Sequence, residues 1–142
     1  MRIVIVGGVA AGMSAAARAR RLDESAEIIV LERGEHVSFA NCGLPYYVGG
    51  EIEQQSSLLV QTPASLRAAL NLDVRVNTEA VGLDAGAKIL TLRTAAGEER
   101  LEYDALILAP GAFALHPPIA GLDSPRVHTL RTVADAVTLR QM

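Results

Sequence analysis

The chain holds little of what small proteins use as staples. Its 142 residues include one cysteine, Cys42, no tryptophan and only five aromatic residues. A single thiol excludes an internal disulfide and is what a reducing, cytoplasmic setting predicts. Large aromatic plugs are excluded as well, so the core has to be assembled from Ala, Val, Ile and Leu, and 23 alanines point to closely packed helices. Lysine is almost absent, with Lys88 against 12 arginines, a bias from which no function follows. Basic runs never exceed two residues and the formal net charge is -3, so neither nucleic acid nor an anionic membrane surface is an expected partner. No apolar run is long enough to span a bilayer, because the first one breaks at Gly7, Gly8 and Gly12. A chain of this size buries roughly 68 to 70% of its unfolded surface, which supports one domain without a metal, and none is expected.

The remaining pattern is that of an α/β protein. Residues 2–6 (RIVIV) form a β-branched run without helical period, as a strand buried on both faces does. A glycine turn follows, then an alanine-rich helix over 10–22 closing on Arg18, Arg20 and Arg21, then a second buried strand over 27–31. Strand, turn, helix and strand make a βαβ unit with a parallel sheet. Residues 33–50 read as a loop and a short helix. Thr62 and Pro63 open a helix that runs to about Leu70, with Thr62 as its N-cap. Strand-like stretches at 73–84, 88–94 and 99–103 suggest an antiparallel meander. Residues 104–109 return to a buried parallel strand ending at Pro110-Gly111, 126–130 reads as one more strand, and a helix starts near Thr132. The expected architecture is therefore a Rossmann-like three-layer fold, a parallel sheet plus a small antiparallel meander. The helix at the C-terminus lacks a capping signal, so the end reads as cut.

Three sequence features carry chemistry. The turn Gly7-Gly8-Val9-Ala10-Ala11-Gly12 occupies the place of a dinucleotide fingerprint, where glycine permits a tight turn and lets backbone approach a pyrophosphate at a helix N-terminus. Val9 stands where a second fingerprint glycine is usual. Glu32, 20 residues past Gly12, ends the second strand, where a carboxylate accepts hydrogen bonds from an adenosine ribose. Cys42 lies in Ser38-Phe39-Ala40-Asn41-Cys42-Gly43-Leu44-Pro45-Tyr46-Tyr47. A helix capped around Asn41 or Cys42 would put Pro45 in its first turn and the thiol at the positive end of a dipole, a setting that favours thiolate. On its own residues Cys42 also reads as a small buried hydrophobe.

Taken together, the glycine turn, Glu32, SFANCGLPYY and the later LILAPGAFALHPPIAG resemble the N-terminal part of the pyridine nucleotide-disulfide oxidoreductases. The resemblance is to the single-cysteine branch typified by coenzyme A disulfide reductase, and it covers essentially the whole chain. The two-cysteine branch is excluded by the missing second cysteine. The resemblance implies that residues 1–142 are the N-terminal portion of an FAD-binding domain, with nicotinamide and dimerisation domains lying elsewhere. It implies FAD as cofactor and NAD(P)H as electron donor in a cytoplasmic, homodimeric full-length enzyme that acts on a small thiol or disulfide such as coenzyme A.

Residue by residue, it implies cofactor contacts from Gly7, Gly8, Ala10, Ala11, Gly12, Glu32, Arg33, Asn41, Val81, Ala109, Gly111 and Arg131. Cys42 becomes the redox-active thiol, and Ser14, Arg18, Arg21, Ser38 and Asn41 become coenzyme A contacts. Arg18 and Arg21 share one helix face, where they either meet phosphates or complement the helix dipole. Two positions depart from the pattern: Ala69 replaces a basic contact, and Ala120-Gly121 replaces the commoner Pro-Gly. A peroxide- or oxygen-reducing enzyme working through a cysteine sulfenic acid is the alternative within the enzymes. A non-catalytic dinucleotide-binding module is the alternative outside them.

Overall fold

A computed structural model describes all 142 residues. In chain order the elements are β1 (Arg2–Val6), α1 (Ala10–Leu22), β2 (Glu27–Leu31), α2 (Leu44–Gly49), α3 (Pro63–Leu70), β3 (Asp73–Arg75), β4 (Glu79–Asp84), β5 (Ile89–Thr94), β6 (Gly97–Glu102), β7 (Ala105–Leu108) and α4 (Val133–Gln141). They fall into two compact units, Met1–Ser38 with Gln61–Gly111, and Phe39–Val60 with Ala112–Met142.

The first unit is built on a four-stranded sheet of order β3-β2-β1-β7 in which every pairing is parallel. β1 lies at its centre, with Ile3 opposite Ile28 on one side and Ala105 on the other. Side chains alternate across a strand. Ile3, Ile5, Ile28 and Val30 therefore share one core with Met13 and Ala16 of α1 and Leu66 of α3. Val4, Ile29 and Leu31 share the opposite core with Leu90, Leu92 and Leu101 of the β4-β5-β6 meander. Both faces of the sheet are thus covered, which is why residues 2–6 and 27–31 carry no polar alternation. The result is the three-layer α/β arrangement read from the sequence. Truncating one fully buried aliphatic in the middle layer, such as Ile5, removes about 2–5 kcal/mol.

Two strand expectations are corrected. Residues 73–84 were expected to run as one strand of the meander, but the chain divides. Asp73–Arg75 pairs with β2, Val74 opposite Val30, and only Glu79–Asp84 enters the meander. The break is at Asn77, whose left-handed backbone (φ +51°) turns the chain while Asn77 and Thr78 donate to Gly34 and Glu32 carbonyls. Residues 126–130 form no strand: they pair with no other segment, and a β-prone stretch without a partner has no ladder to join.

In the second unit α2 and α4 share a small core of Leu44, Tyr47, Leu58, Val133 and Ala136. α4 starts where expected. Thr132 Oγ1 accepts from the Asp135 N–H at 3.1 Å, and Asp135 Oδ2 accepts from the Thr132 and Arg131 N–H groups at 2.8 and 2.9 Å. Partial burial pushes the Asp135 carboxyl upward, but those backbone donors outweigh it and hold the group below its ordinary value of 3.8. A carboxyl lowered in the folded state stabilises the fold above its unfolded pKa, and that contribution disappears as pH falls through the folded value. Thr132→Ala is expected to cost about 1 kcal/mol at pH 7. Asp135→Asn should be destabilising at pH 7, and its deficit should shrink as pH falls below the ordinary carboxylate value of 3.8, which a series of urea titrations across that range will measure.

Candidate functional site

The strand-to-helix turn of the first unit is shaped by what has no side chain. Gly7 has φ +106°, and a Cβ there would strike the Ala109 carbonyl. A Cβ on Gly12 would strike the Gly7 carbonyl, and one on Gly8 would meet Glu32 and Val37 at 2.9 Å. The turn therefore packs its Gly7 backbone against Ala109-Pro110 on one side and against Gly12 of α1 on the other, which places Ala109, one of the expected cofactor contacts, beside the glycine turn. α1 begins after Val9 with no side-chain cap and no acidic residue in its first turn. Its first intrahelical bond is from Met13 to Val9, so the N–H groups of Ala10, Ala11 and Gly12 have no helical acceptor. Unpaired donors at the positive end of a 13-residue helix suit an anion.

Glu32 is fastened into this turn. Its Oε2 accepts from the Gly8 N–H and its Oε1 from the Gly34 N–H, each at 2.8 Å. The sequence reading assigned Glu32 to a ribose only, and its bracing of the glycine turn was missed because Gly8 is 24 residues away in the chain. Each carboxylate oxygen keeps a second lone pair for a ligand hydroxyl. Beside it opens a cleft of about 120 Å³, walled by Gly7, Glu32, Arg33, Thr78, Ala80 and Pro110 among others. Val81, expected to meet an adenine, follows this wall at the β4 bulge and is 37% exposed. Thr78 and Ala80 wall the same cleft and were missed; their one signal is that they lie just upstream of Val81 in the chain.

Ser14, Arg18 and Arg21 lie exposed on α1 with the helical spacing that places them on one face. None of the ion pairs in the structure involves Arg18 or Arg21. Arg20, grouped with them as a dipole partner, is buried instead, and its guanidinium donates to the carbonyls of Leu70, Asn71, Asp23 and Glu24. Ser38 adopts a left-handed backbone (φ +50°) and donates its N–H to the Gly8 carbonyl at 2.8 Å, so it joins the glycine turn.

The second unit carries Asn41, Cys42 and Arg131. Cys42 is a free, exposed thiol, which removes the reading of it as a buried hydrophobe. The expected cap at Asn41 or Cys42 moves on to Gly43, because Asn41–Gly43 forms a 3-10 turn that runs into α2; Pro45 does occupy its first turn. The Asn41 side chain caps nothing. Its Oδ1 is buried without any hydrogen-bond partner, an acceptor left waiting for a donor. Arg131 donates from Nε to the Ala112 carbonyl at 3.0 Å and stands exposed before α4.

A sequence model described as pyridine nucleotide-disulphide oxidoreductase matches residues 1–142, the entire chain. The chain belongs to the pyridine nucleotide-disulphide oxidoreductase family. Within it, coenzyme A disulfide reductase of Staphylococcus haemolyticus is 34% identical over 142 residues, which are 99% of this chain and 32% of that protein. Reduced Bacillus anthracis CoADR-RHD superposes with a TM-score of 0.94 at 46% identity, over 99% of this chain and 26% of that one. An NAD-dependent persulfide reductase from A. fulgidus gives a TM-score of 0.95 at 38% identity, over 100% and 27%. The chain thus spans about a third or less of the relatives it matches. Members of this family are oxidoreductases whose cofactor is FAD. The residues of the first unit fit the ADP half of that group: a side-chain-free turn, three uncommitted helix N–H groups and a carboxylate with free lone pairs beside a cleft. No helix of the structure is long and apolar enough to cross a membrane.

Proposed function

We propose that this chain is the N-terminal, FAD-holding portion of a cytoplasmic, homodimeric NAD(P)H-dependent enzyme that reduces coenzyme A disulfide or related disulfides and persulfides through Cys42. The observation that carries the reading is the state of the only cysteine, free and exposed at the turn before α2. In this reading Gly7, Gly8, Ala10, Ala11 and Gly12 lie against the pyrophosphate, and Glu32 receives the ribose hydroxyls. Arg33 and Val81 border the adenosine, while Asn41, Ala109, Gly111 and Arg131 face the remainder of the cofactor. Ser14, Arg18, Arg21, Ser38 and Asn41 form the coenzyme A contacts, Arg18 and Arg21 as phosphate partners free of competing carboxylates. When bound, FAD would supply the two-electron chemistry, as acceptor of a hydride from NAD(P)H and donor of an electron pair to sulfur.

The chain's own chemistry is thiol exchange. The Cys42 thiolate attacks one sulfur of RSSR, forming Cys42–S–S–R and releasing the first RS⁻. Two electrons then cleave that mixed disulfide, releasing the second RS⁻ and restoring the Cys42 thiolate. Residues 1–142 contain no second cysteine to resolve it, so within this segment the mixed disulfide awaits that electron pair. The test is anaerobic NADH and NADPH consumption by the full-length FAD-loaded enzyme that contains this chain, with coenzyme A disulfide or a persulfide as acceptor; residues 1–142 alone are not expected to turn over NADH, because their one dinucleotide fingerprint is assigned to FAD. Consumption that requires oxygen or peroxide and ignores both sulfur substrates would replace this reading with the sulfenic acid one.

A further inference from the structure

The helix that follows Cys42 is too short to hold itself. α2 has six residues, and an isolated helix of that length is unstable in water. On its N-terminal side the turn is tied by the Ala40 N–H donating to the Leu58 carbonyl at 2.8 Å. At its C-terminal end one side chain, Arg140 of α4, does the equivalent. Arg140 Nη1 donates to the Tyr47 carbonyl at 3.1 Å and to the Ile52 carbonyl at 2.7 Å. Its guanidinium carbon also lies 4.4 Å from the centre of the Tyr47 ring. Tyr47 is itself buried in the α2–α4 core, so the ring gives the guanidinium a fixed face to stack on. Planar stacking combined with two donors to carbonyls is a task for arginine; a lysine supplies a point charge without the plane.

We infer that Arg140 is a positioning residue for Cys42: it clamps the end of α2 and so fixes the Asn41–Gly43 turn on which the thiol sits. The inference rests on the reading of Cys42 as the redox thiol. Arg140 touches neither substrate nor thiol in this scheme and acts only through α2.

The test uses the full-length FAD-loaded enzyme with Arg140→Met and Arg140→Lys, and Thr132→Ala as a control that weakens the start of α4 while keeping the Arg140 bonds to the Tyr47 and Ile52 carbonyls. Amide hydrogen exchange over residues 41–50 should accelerate at least tenfold in Arg140→Met and stay within twofold of the parent in Thr132→Ala. The kcat for coenzyme A disulfide should fall about tenfold in Arg140→Met while KM stays within twofold, and Arg140→Lys should recover less than half of the loss. Parental exchange and parental kcat in both Arg140 variants would overturn the inference. An equal kcat loss in Thr132→Ala at matched melting temperature would also overturn it, because Arg140 would then be merely structural. A Cys42→Ser protein that retained parental activity would overturn the functional reading and this inference together, whereas the Arg140 outcomes alone leave the functional reading standing.

Discussion

In the complete enzyme, Cys42→Ser is expected to reduce disulfide turnover to background while leaving FAD binding and the bleaching of flavin by NADH intact. The size of the effect follows from what serine lacks. A hydroxyl is not ionised near neutral pH and forms no stable bond to the sulfur of a disulfide, so both the attack and the mixed disulfide are lost. The selectivity follows from the structure: the residues proposed to hold the ADP half of the cofactor are in the first unit, and Cys42 is in the second. Exposure of the thiol makes a complementary measurement simple, because the chain has one reporter. In the 142-residue chain, thiol reagent should label the folded parent at one equivalent and the serine variant not at all, and coenzyme A should be recovered bound to Cys42 after the parent is mixed with its disulfide. Parental turnover by the serine variant would show that the electrons reach substrate by another route.

How much of this was legible before the structure depended on whether a residue's partner was near it in the chain. The run 2–6, the glycine turn and the run 27–31 announce a βαβ unit because each element is encoded in consecutive residues. The Thr62 cap and the helix start near Thr132 are equally local, and both threonines form capping boxes. Residues 73–84 failed because nothing local says that Asp73–Arg75 will find β2 while Glu79–Asp84 finds β5. Residues 126–130 failed for the converse reason, β-branched and apolar character without a neighbouring strand. In the candidate site, Gly7, Gly12 and Glu32 could be named from spacing. The bracing of Gly8 by Glu32 and the burial of Arg20 could not, since their partners lie 24 and 50 residues away. The same limit hid Arg140, which reads as an ordinary C-terminal cation until Tyr47, 93 residues earlier, is placed beneath it.

Gly12→Ala, the addition of one methyl group, is expected to destabilise the first unit by about 3 kcal/mol and to strip FAD from the full-length enzyme. Gly12 is in ordinary helical backbone, so the penalty is not conformational: an alanine is intrinsically the better helix former by up to about 1 kcal/mol. The obstacle is the Gly7 carbonyl, which the new Cβ would strike, with Ile5 Cγ2 behind it at 3.2 Å. Neither can yield cheaply. The Gly7 carbonyl belongs to a turn whose N–H is bonded to Leu31 at 2.8 Å, and Ile5 is fully buried in the central strand. Relief requires α1 to lift from β1, which moves the Ala10, Ala11 and Gly12 N–H groups away from where a pyrophosphate would lie. Gly50→Ala is the matched control. Gly50 has φ +87° but no atom within 4 Å of its added Cβ, so it should lose only the left-handed backbone preference, about 1–2 kcal/mol, with FAD retained. Urea titration and the absorbance of flavin kept after dialysis measure both variants. A Gly12→Ala protein that kept its flavin and unfolded with the parent would mean that α1 and the turn do not make the close contact on which the cofactor assignment depends.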